Sequence, residues 1–366
     1  MAAATAAQLI RIARLRHFVG VFARGGDREA TGEALAELSQ ASLVAGLASD
    51  ALKRARQAAE LLTEAGEGAS EAGVRALIHL GVACLDTGAS DDAISAAMLA
   101  DERAEALPEP VRLQLRGAAA LIAGIAHAVA GAEAEARACL DDARERLVAA
   151  GLPGGAAIAL TQQGLLEIAA DDGARAALCF RFARDFHRAA GEPIAAAEVT
   201  AVAARAFADV DAPDATRWFT DGVVEADAAG AAQLAAELVV AHAERCERLD
   251  QRATALALAT DGARRAGRLG AAGRELALRT RLQLARLVED PRDALRHVEA
   301  AFEIGLDLQE PAALGAAMEI VVSGLVKGRF SDVGWKLVDR FHRRLSRAGF
   351  AALADTAIVA LEELRP

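Results

Sequence analysis

Apolar residues recur at helical spacing along this chain, and the runs are cut at near-constant intervals. The cuts fall at Gly66, Pro108, Gly151, Gly191, Gly230, Gly270, Gln309 and Gly349, 39 to 43 residues apart. Several carry the same local text, such as Ala149-Ala150-Gly151, Ala189-Ala190-Gly191 and Ala228-Ala229-Gly230. A glycine just past a helix adopts the left-handed C′ conformation without a side-chain penalty. Midway between the cuts stands a polar residue followed by a small one: Asp50-Ala51, Asp92-Ala93, Glu135-Ala136, Arg175-Ala176, Asp214-Ala215, Arg252-Ala253, Asp293-Ala294 and Asp332-Val333. An acid in a first helical turn favours the positive end of the helix dipole. Twelve residues upstream of each second member the residue is small in six units (Ser39, Gly81, Gly124, Gly164, Ala203, Ala241), and Leu282 and Val321 break the rule. Seven residues downstream it is small or compact except at Arg340, and four downstream it is always apolar. Small residues at fixed offsets on two helices let their backbones approach closely. The pattern predicts eight units of about 40 residues, each a helix A, a short turn and a helix B.

Proline placement agrees with this division. Pro108, Pro110, Pro153, Pro193 and Pro311 fall between units, and Pro213 and Pro291 fall just before a helix B, where a first turn tolerates proline. No proline lies inside a predicted helix, where it would cost about 3 kcal/mol. The predicted units are 28–66, 69–107, 109–151, 153–191, 193–230, 231–270, 271–309 and 310–349, flanked by an N-terminal helix over 1–27 and a C-terminal helix over 350–366. On the first, Ile12, Leu15, Val19 and Phe22 share a face. On the last, Leu353, Ile358, Leu361 and Leu364 do. Both suit caps on one continuous stack, and no long linker breaks the array. Composition strengthens the all-α reading. Alanine supplies 96 of 366 residues, tyrosine none, and aromatics 4%. Strands favour β-branched and aromatic residues, whereas alanine, leucine, arginine and glutamate favour helices.

These residues resemble the tetratricopeptide repeat (TPR) superfamily, most clearly in the second unit, Leu80-Gly81-Val82-Ala83-Cys84-Leu85-Asp86-Thr87-Gly88-Ala89-Ser90-Asp91-Asp92-Ala93-Ile94, and in the fourth, from Gln163-Gly164 to Ala176. The likeness covers roughly residues 28–349. It departs from the family in its period, about 40 rather than about 34. The usual helix-A tyrosine is replaced by Ser42, Cys84, His127, Glu167, Ala206, Glu244, Ala285 and Gly324, and the proline closing helix B is mostly absent. The units look like the long repeats of large bacterial transcriptional and signalling regulators. Those regulators also carry an ATPase or DNA-binding module, for which this sequence has neither room nor motif. The resemblance implies a right-handed α-solenoid whose A helices line a groove that holds a partner's segment.

Charge and motifs exclude other classes. The net charge of −11 opposes phosphate, arguing against nucleic acid. Cys84, Cys139, Cys179 and Cys246 form no CxxC or Cys/His cluster, which fits small apolar residues in a reducing, cytoplasmic setting. There is no P-loop, HExxH, GxSxG or GxGxxG, and the seven histidines are scattered. Asp209, Asp211 and Asp214 mimic part of a calcium loop, but Pro213 interrupts it and the distal glutamate is missing. Neither catalysis, nor a metal, nor a cofactor is expected. Residues 1–24 hold Arg11, Arg14, Arg16 and Arg24 and no acid, so besides a cap they read as a basic amphipathic helix for a membrane surface or partner.

Carrying the family's groove positions onto this chain marks Thr161 and Gln162 in the fourth unit, His242 and Arg245 in the sixth, and Arg279, Gln283 and Arg286 in the seventh. The last three form a basic, hydrogen-bonding set suited to an acidic segment of another protein, since arginine forks fit carboxylates. The competing reading is a solvated helix face whose charges pair with neighbouring repeats. The slots that form a carboxylate clamp for chaperone tails in some relatives hold Ala36, Gln40, Ile78 and Val82, none of them basic. A non-catalytic scaffold, adaptor or regulator is the leading expectation. The alternative is a sensor whose superhelix closes on a peptide or small molecule. Trp335, Phe330, Phe341 and Phe350 gather scarce aromatics in the last unit, as a denser terminal core or as a homodimer interface.

Overall fold

A computed structural model describes residues 6–330 and 332–355. Among them are seventeen α-helices, a single-turn 3₁₀ segment (Gly270–Gly273) and the start of a further helix at 351–355, with no strand. After α1 (Ala6–Gly25) the helices fall into eight antiparallel hairpins. In the first unit these are α2 (Arg28–Val44) with α3 (Ala48–Glu64), α4 (Glu71–Asp86) with α5 (Ser90–Ala104), α6 (Val111–Val129) with α7 (Glu133–Ala149), and α8 (Pro153–Ala169) with α9 (Gly173–Ala189). In the second they are α10 (Pro193–Asp209) with α11 (Ala215–Ala228), α12 (Ala232–Arg248) with α13 (Arg252–Arg268), α14 (Arg274–Leu287) with α15 (Pro291–Leu308), and α16 (Pro311–Val326) with α17 (Asp332–Arg347). The two compact units are Met1–Glu192 and Pro193–Pro366.

Left-handed residues end most helices, as the glycine pattern predicts. Gly66, Gly151, Gly191, Gly230, Gly270, Gln309 and Gly349 close hairpins with φ between 57° and 87°. Inside the hairpins the same conformation falls on Gly46, Gly88, Gly131, Asp171, Asp211, Asp250 and Gly328. The seventh hairpin lacks such a residue. Its α14 runs out into extended Val288, and the terminal carbonyls are satisfied from outside. Arg252 donates to Leu287 O (3.2 and 2.8 Å), and Arg329 donates to Ala285 O and Val288 O.

Every helix B buries one stripe at offsets of 0, 4, 7 and 11. In the first unit it is Ala51-Ala55-Ala58-Leu62, Ala93-Ala97-Ala100-Ala104, Ala136-Leu140-Ala143-Leu147 and Ala176-Phe180-Ala183-His187. In the second it continues as Ala215-Phe219-Gly222-Ala226, Ala255-Ala259-Gly262-Ala266, Ala294-Val298-Ala301-Gly305 and Gly334-Val338-Phe341-Leu345. Two registers therefore differ from the sequence expectation. In the sixth hairpin Asp250, not a glycine, makes the turn, and the stripe starts at Ala255 rather than Ala253, with buried Ala243 twelve residues upstream. In the eighth the stripe starts at Gly334, which puts buried Phe341 rather than Arg340 seven residues downstream, so that slot is apolar but not small.

The small upstream residues admit large neighbours. A Cβ on Gly81 would lie 2.9 Å from Ile122, one on Gly124 2.7 Å from Leu140, and one on Gly164 2.8 Å from the Phe180 ring. Ser39 uses its slot differently, donating its buried hydroxyl to Ala51 O at 2.9 Å. Missing tyrosines are compensated locally. Buried Glu167 is held by Arg137 (3.0 Å), and the Phe330 ring occupies the space beside Gly324. In the second unit Trp218 stacks on Phe207 (6.0 Å) and Phe302 on Phe341 (3.7 Å). Phe330 and Phe341 thus enter the terminal core, with Phe350 and Leu353 partly buried against it. Ile358, Leu361 and Leu364 lie outside the described residues. At the other end, Ile12 and Leu15 are buried on Leu38, Ala41 and Ala45, so the apolar face recognised in the sequence packs on α2.

Candidate functional site

Within each unit the A helices of successive hairpins touch one another, α2 with α4, α4 with α6 and α6 with α8, then α10 with α12, α12 with α14 and α14 with α16. Among helices B a contact of comparable extent joins only α15 and α17. The A helices therefore crowd the inner side of each stack, and the candidate binding positions read from the sequence lie on these helices.

In the second unit that surface carries a cleft of about 550 Å³, lined among others by Arg205, Phe219, Glu244, Arg245, Glu247 and Arg286. Its charges alternate in sign. Arg279 donates to both oxygens of Glu244 (3.0 and 2.6 Å), and Arg286 to both oxygens of Glu247 (2.7 and 3.3 Å). Arg205 pairs with Glu237 at 3.3 Å. The hydrogen bonds that Arg279 donates to Glu244 stabilise its cation and hold its pKa above the ordinary value. Each pair bridges two repeats, and both arginines stay about two-fifths exposed, where an ion pair contributes roughly 0.2–1 kcal/mol.

The same two helices carry polar groups that are buried more deeply than sequence reasoning implies. Arg245 is 4% exposed. It donates to Thr216 Oγ1 (3.1 Å) and Ala212 O (3.0 Å), clamping the α10–α11 turn. His242 is 7% exposed and stacks on Phe219, with centroids 5.0 Å apart. Burial, reinforced by the adjacent Arg245 cation, pushes its pKa down, so it is neutral at pH 7. Gln283 is 1% exposed, and neither its Oε1 nor its Nε2 has a hydrogen-bond partner. The same holds for His242 Nε2 and Arg245 Nε. Buried polar atoms without protein partners call for water or a ligand's polar atoms.

The structure thus brings His242, Arg245, Arg279, Gln283 and Arg286 together on α12 and α14. Thr161 and Gln162 lie apart from them, on α8 of the first unit. Thr161 is buried and donates to Ala157 O at 2.8 Å, and the neighbouring Gln163, not Gln162, is the buried amide, donating to Asp141 at 2.8 Å. Glu244 and Glu247 are the residues that sequence reasoning missed. Their signal was an acid standing 35 and 39 residues before an arginine, nearly one repeat. A second inner-face cleft, about 570 Å³ and lined by Arg11, Glu33, Glu37, Gln40, Arg75 and His79 among others, lies in the first unit. Among the described residues no three His, Cys, Asp or Glu side chains are placed to hold a metal ion, and no helix is long and apolar enough to cross a membrane. All four cysteines are free thiols; Cys84 and Cys246 are buried, Cys139 and Cys179 partly so.

A scan against protein-family models finds no match, and neither does a search of curated proteins. Solved structures do match. The Signal Transduction ATPase with Numerous Domains (STAND) protein with a tetratricopeptide repeat sensor from Pyrococcus horikoshii aligns with a TM-score of 0.56 and 13% identity, over 93% of this chain and 54% of that one. This chain therefore spans about half the length of that protein. The apo form of RapI aligns with a TM-score of 0.47 and 11% identity, over 75% of this chain and 99% of that one. At such identities the likeness concerns the fold. Eight hairpins of about 40 residues, a buried stripe on every helix B and side-by-side A helices give this chain a tandem helical-repeat fold similar to that of the tetratricopeptide repeat sensor protein.

Proposed function

We propose that this chain is a non-catalytic scaffold or regulator that binds an extended segment of another protein along the A-helix face of its second unit. The observation that carries the reading is a cleft lined by Arg245, whose Nε has no partner, and by the ion-paired Glu244, Glu247 and Arg286, with unpartnered polar atoms of His242 and Gln283 on the same two helices. An unsatisfied buried amide costs about 1–3 kcal/mol. A peptide backbone or polar side chain entering the cleft would recover part of that. Arg279 and Arg286 are already neutralised, so a carboxylate in the segment gains by displacing Glu244 or Glu247 rather than by meeting a bare cation. That exchange favours a segment offering hydrogen bonds together with acid, not acid alone. Thr161 and Gln162 would belong to a separate contact on the first unit.

The test is affinity capture from the native cell extract with the full chain, its Arg279→Glu/Arg286→Glu variant and its Gln283→Leu variant. Partners retained by the native chain and lost from both variants support the reading. Partners retained equally by all three remove it. A small metabolite that raises the midpoint of the native protein but not of Gln283→Leu would replace the scaffold with a ligand sensor.

A further inference from the structure

The face of α1 turned away from α2 has no partner within the described residues, and its composition is unusual for a solvent face. Ile10 is 68% exposed, Val21 42% and Phe18 38%. Taking 100° per residue, Ile10 and Val21 lie opposite Ile12, Leu15 and Val19, which pack on α2, and Phe18 lies on the flank of the helix, about 90° from both faces. Arg14, His17 and Arg24 lie among them, and Arg11 flanks them. Arg14 sits over the Phe18 ring (5.6 Å), and Phe18 stacks on Phe22 (6.3 Å). Of the helix's arginines Arg16 is tied down, by Asp50 at 3.1 Å; among the described residues Arg14 and Arg24 pair with no carboxylate. No Asp or Glu precedes Asp27.

We infer that this outer face of α1 docks on an anionic lipid surface. Isolated aromatic and aliphatic side chains interleaved with arginines, on one helix face without a pocket, suit a plane. The apolar groups enter the boundary between headgroups and acyl chains, while the guanidiniums stay among the phosphates. Charge selects the anionic surface. Residues 1–26 carry +4, so the remainder of the chain carries −11 − 4 = −15 and is repelled by the same membrane. The inner face, already packed on α2, need not be released. This docking is independent of the proposed partner cleft, which lies in the other unit.

The experiment is co-sedimentation of the full chain with phosphatidylcholine vesicles, with and without phosphatidylserine. Arg14 and Arg24 near the surface predict a preference for the anionic vesicles on the order of 30-fold, falling as salt is raised. Arg14→Glu/Arg24→Glu should abolish the preference, and Ile10→Ser/Phe18→Ser should release the chain from both vesicles. Lys53→Glu, a charge reversal elsewhere, should leave binding unchanged. Circular dichroism checks that each variant keeps its helices. Equal binding to both vesicle types, no binding by the native chain, or a face whose variants instead dissolve a dimer in solution would each overturn the inference.

Discussion

Gly164 on α8 faces the ring of Phe180 on α9. A methyl added at Gly164 would meet three ring carbons at 2.8, 2.8 and 3.0 Å, inside the 3.4–4 Å of ordinary contact, and Phe180 is fully buried. Gly164→Ala therefore sets two effects against each other. Helix propensity favours alanine by about 1 kcal/mol. Overpacking a rigid ring costs about 1–3 kcal/mol. The expected net is a loss of up to about 2 kcal/mol. In a Phe180→Leu background the clash is relieved and the same change should stabilise, so its sign reverses. The coupling energy of the cycle should be about 1–3 kcal/mol. Gly20→Ala in α1, where an added Cβ meets nothing within 4 Å, is the control and should stabilise by up to about 1 kcal/mol. Urea unfolding followed by far-ultraviolet circular dichroism measures each variant, with an unchanged m value as the condition for comparison. If Gly164→Ala stabilises the native background as much as Gly20→Ala does, the close approach of α8 and α9 is not set by this contact.

Other consequences are open to simple measurement. Gln283→Leu removes a buried amide with no partner and should be neutral or stabilise by roughly 1 kcal/mol; a loss of several kcal/mol would mean that the amide is satisfied. Ser70 accepts from Gly73 N at 3.2 Å as the N-cap of α4, and Ser70→Ala should cost about 1 kcal/mol in the same urea assay. His79, His242 and His297 all have pKa values lowered chiefly by burial, with Arg75, Arg245 and Arg281 respectively adding to it, and with the Ala36 carbonyl opposing it at His79 and Asp293 at His297. Unfolded, these histidines return to about 6.5 and bind protons that the folded chain refuses, so stability should fall as pH drops from about 7 to about 5. A thermal midpoint that stays level or rises over that window would contradict the burial of these rings.

The repeat was legible because its signals are backbone requirements. A helix that must reverse needs a left-handed residue, and glycine at regular spacing announces it; Gln309 was caught by spacing alone and has φ of 57°. Register was harder than the turns, and not through loss of glycine alone, since Asp171 and Asp211 turn hairpins whose register held. Asp250 made the turn in the sixth hairpin, and Arg252-Ala253 imitated the motif two residues early. The candidate positions were legible as a cluster on two helices but not as a state. Nothing in a single helix tells that Arg279 meets Glu244, because the pairing depends on how one hairpin lies on the next. Burial misled in the same way. Arg245 and Gln283 are polar residues at groove positions, and only packing against the preceding repeat takes them out of water.

The scarcity of aromatic residues gives the molecule an optical asymmetry. Tyrosine is absent, and both tryptophans, Trp218 and Trp335, belong to the second unit. Trp218 is 5% exposed and lies against the Phe207 ring. Its emission therefore reports the fifth hairpin's interior while the first unit stays dark at that wavelength. Following emission and ellipticity in one titration separates the melting of Pro193–Pro366 from that of Met1–Glu192, without a label or a truncated chain.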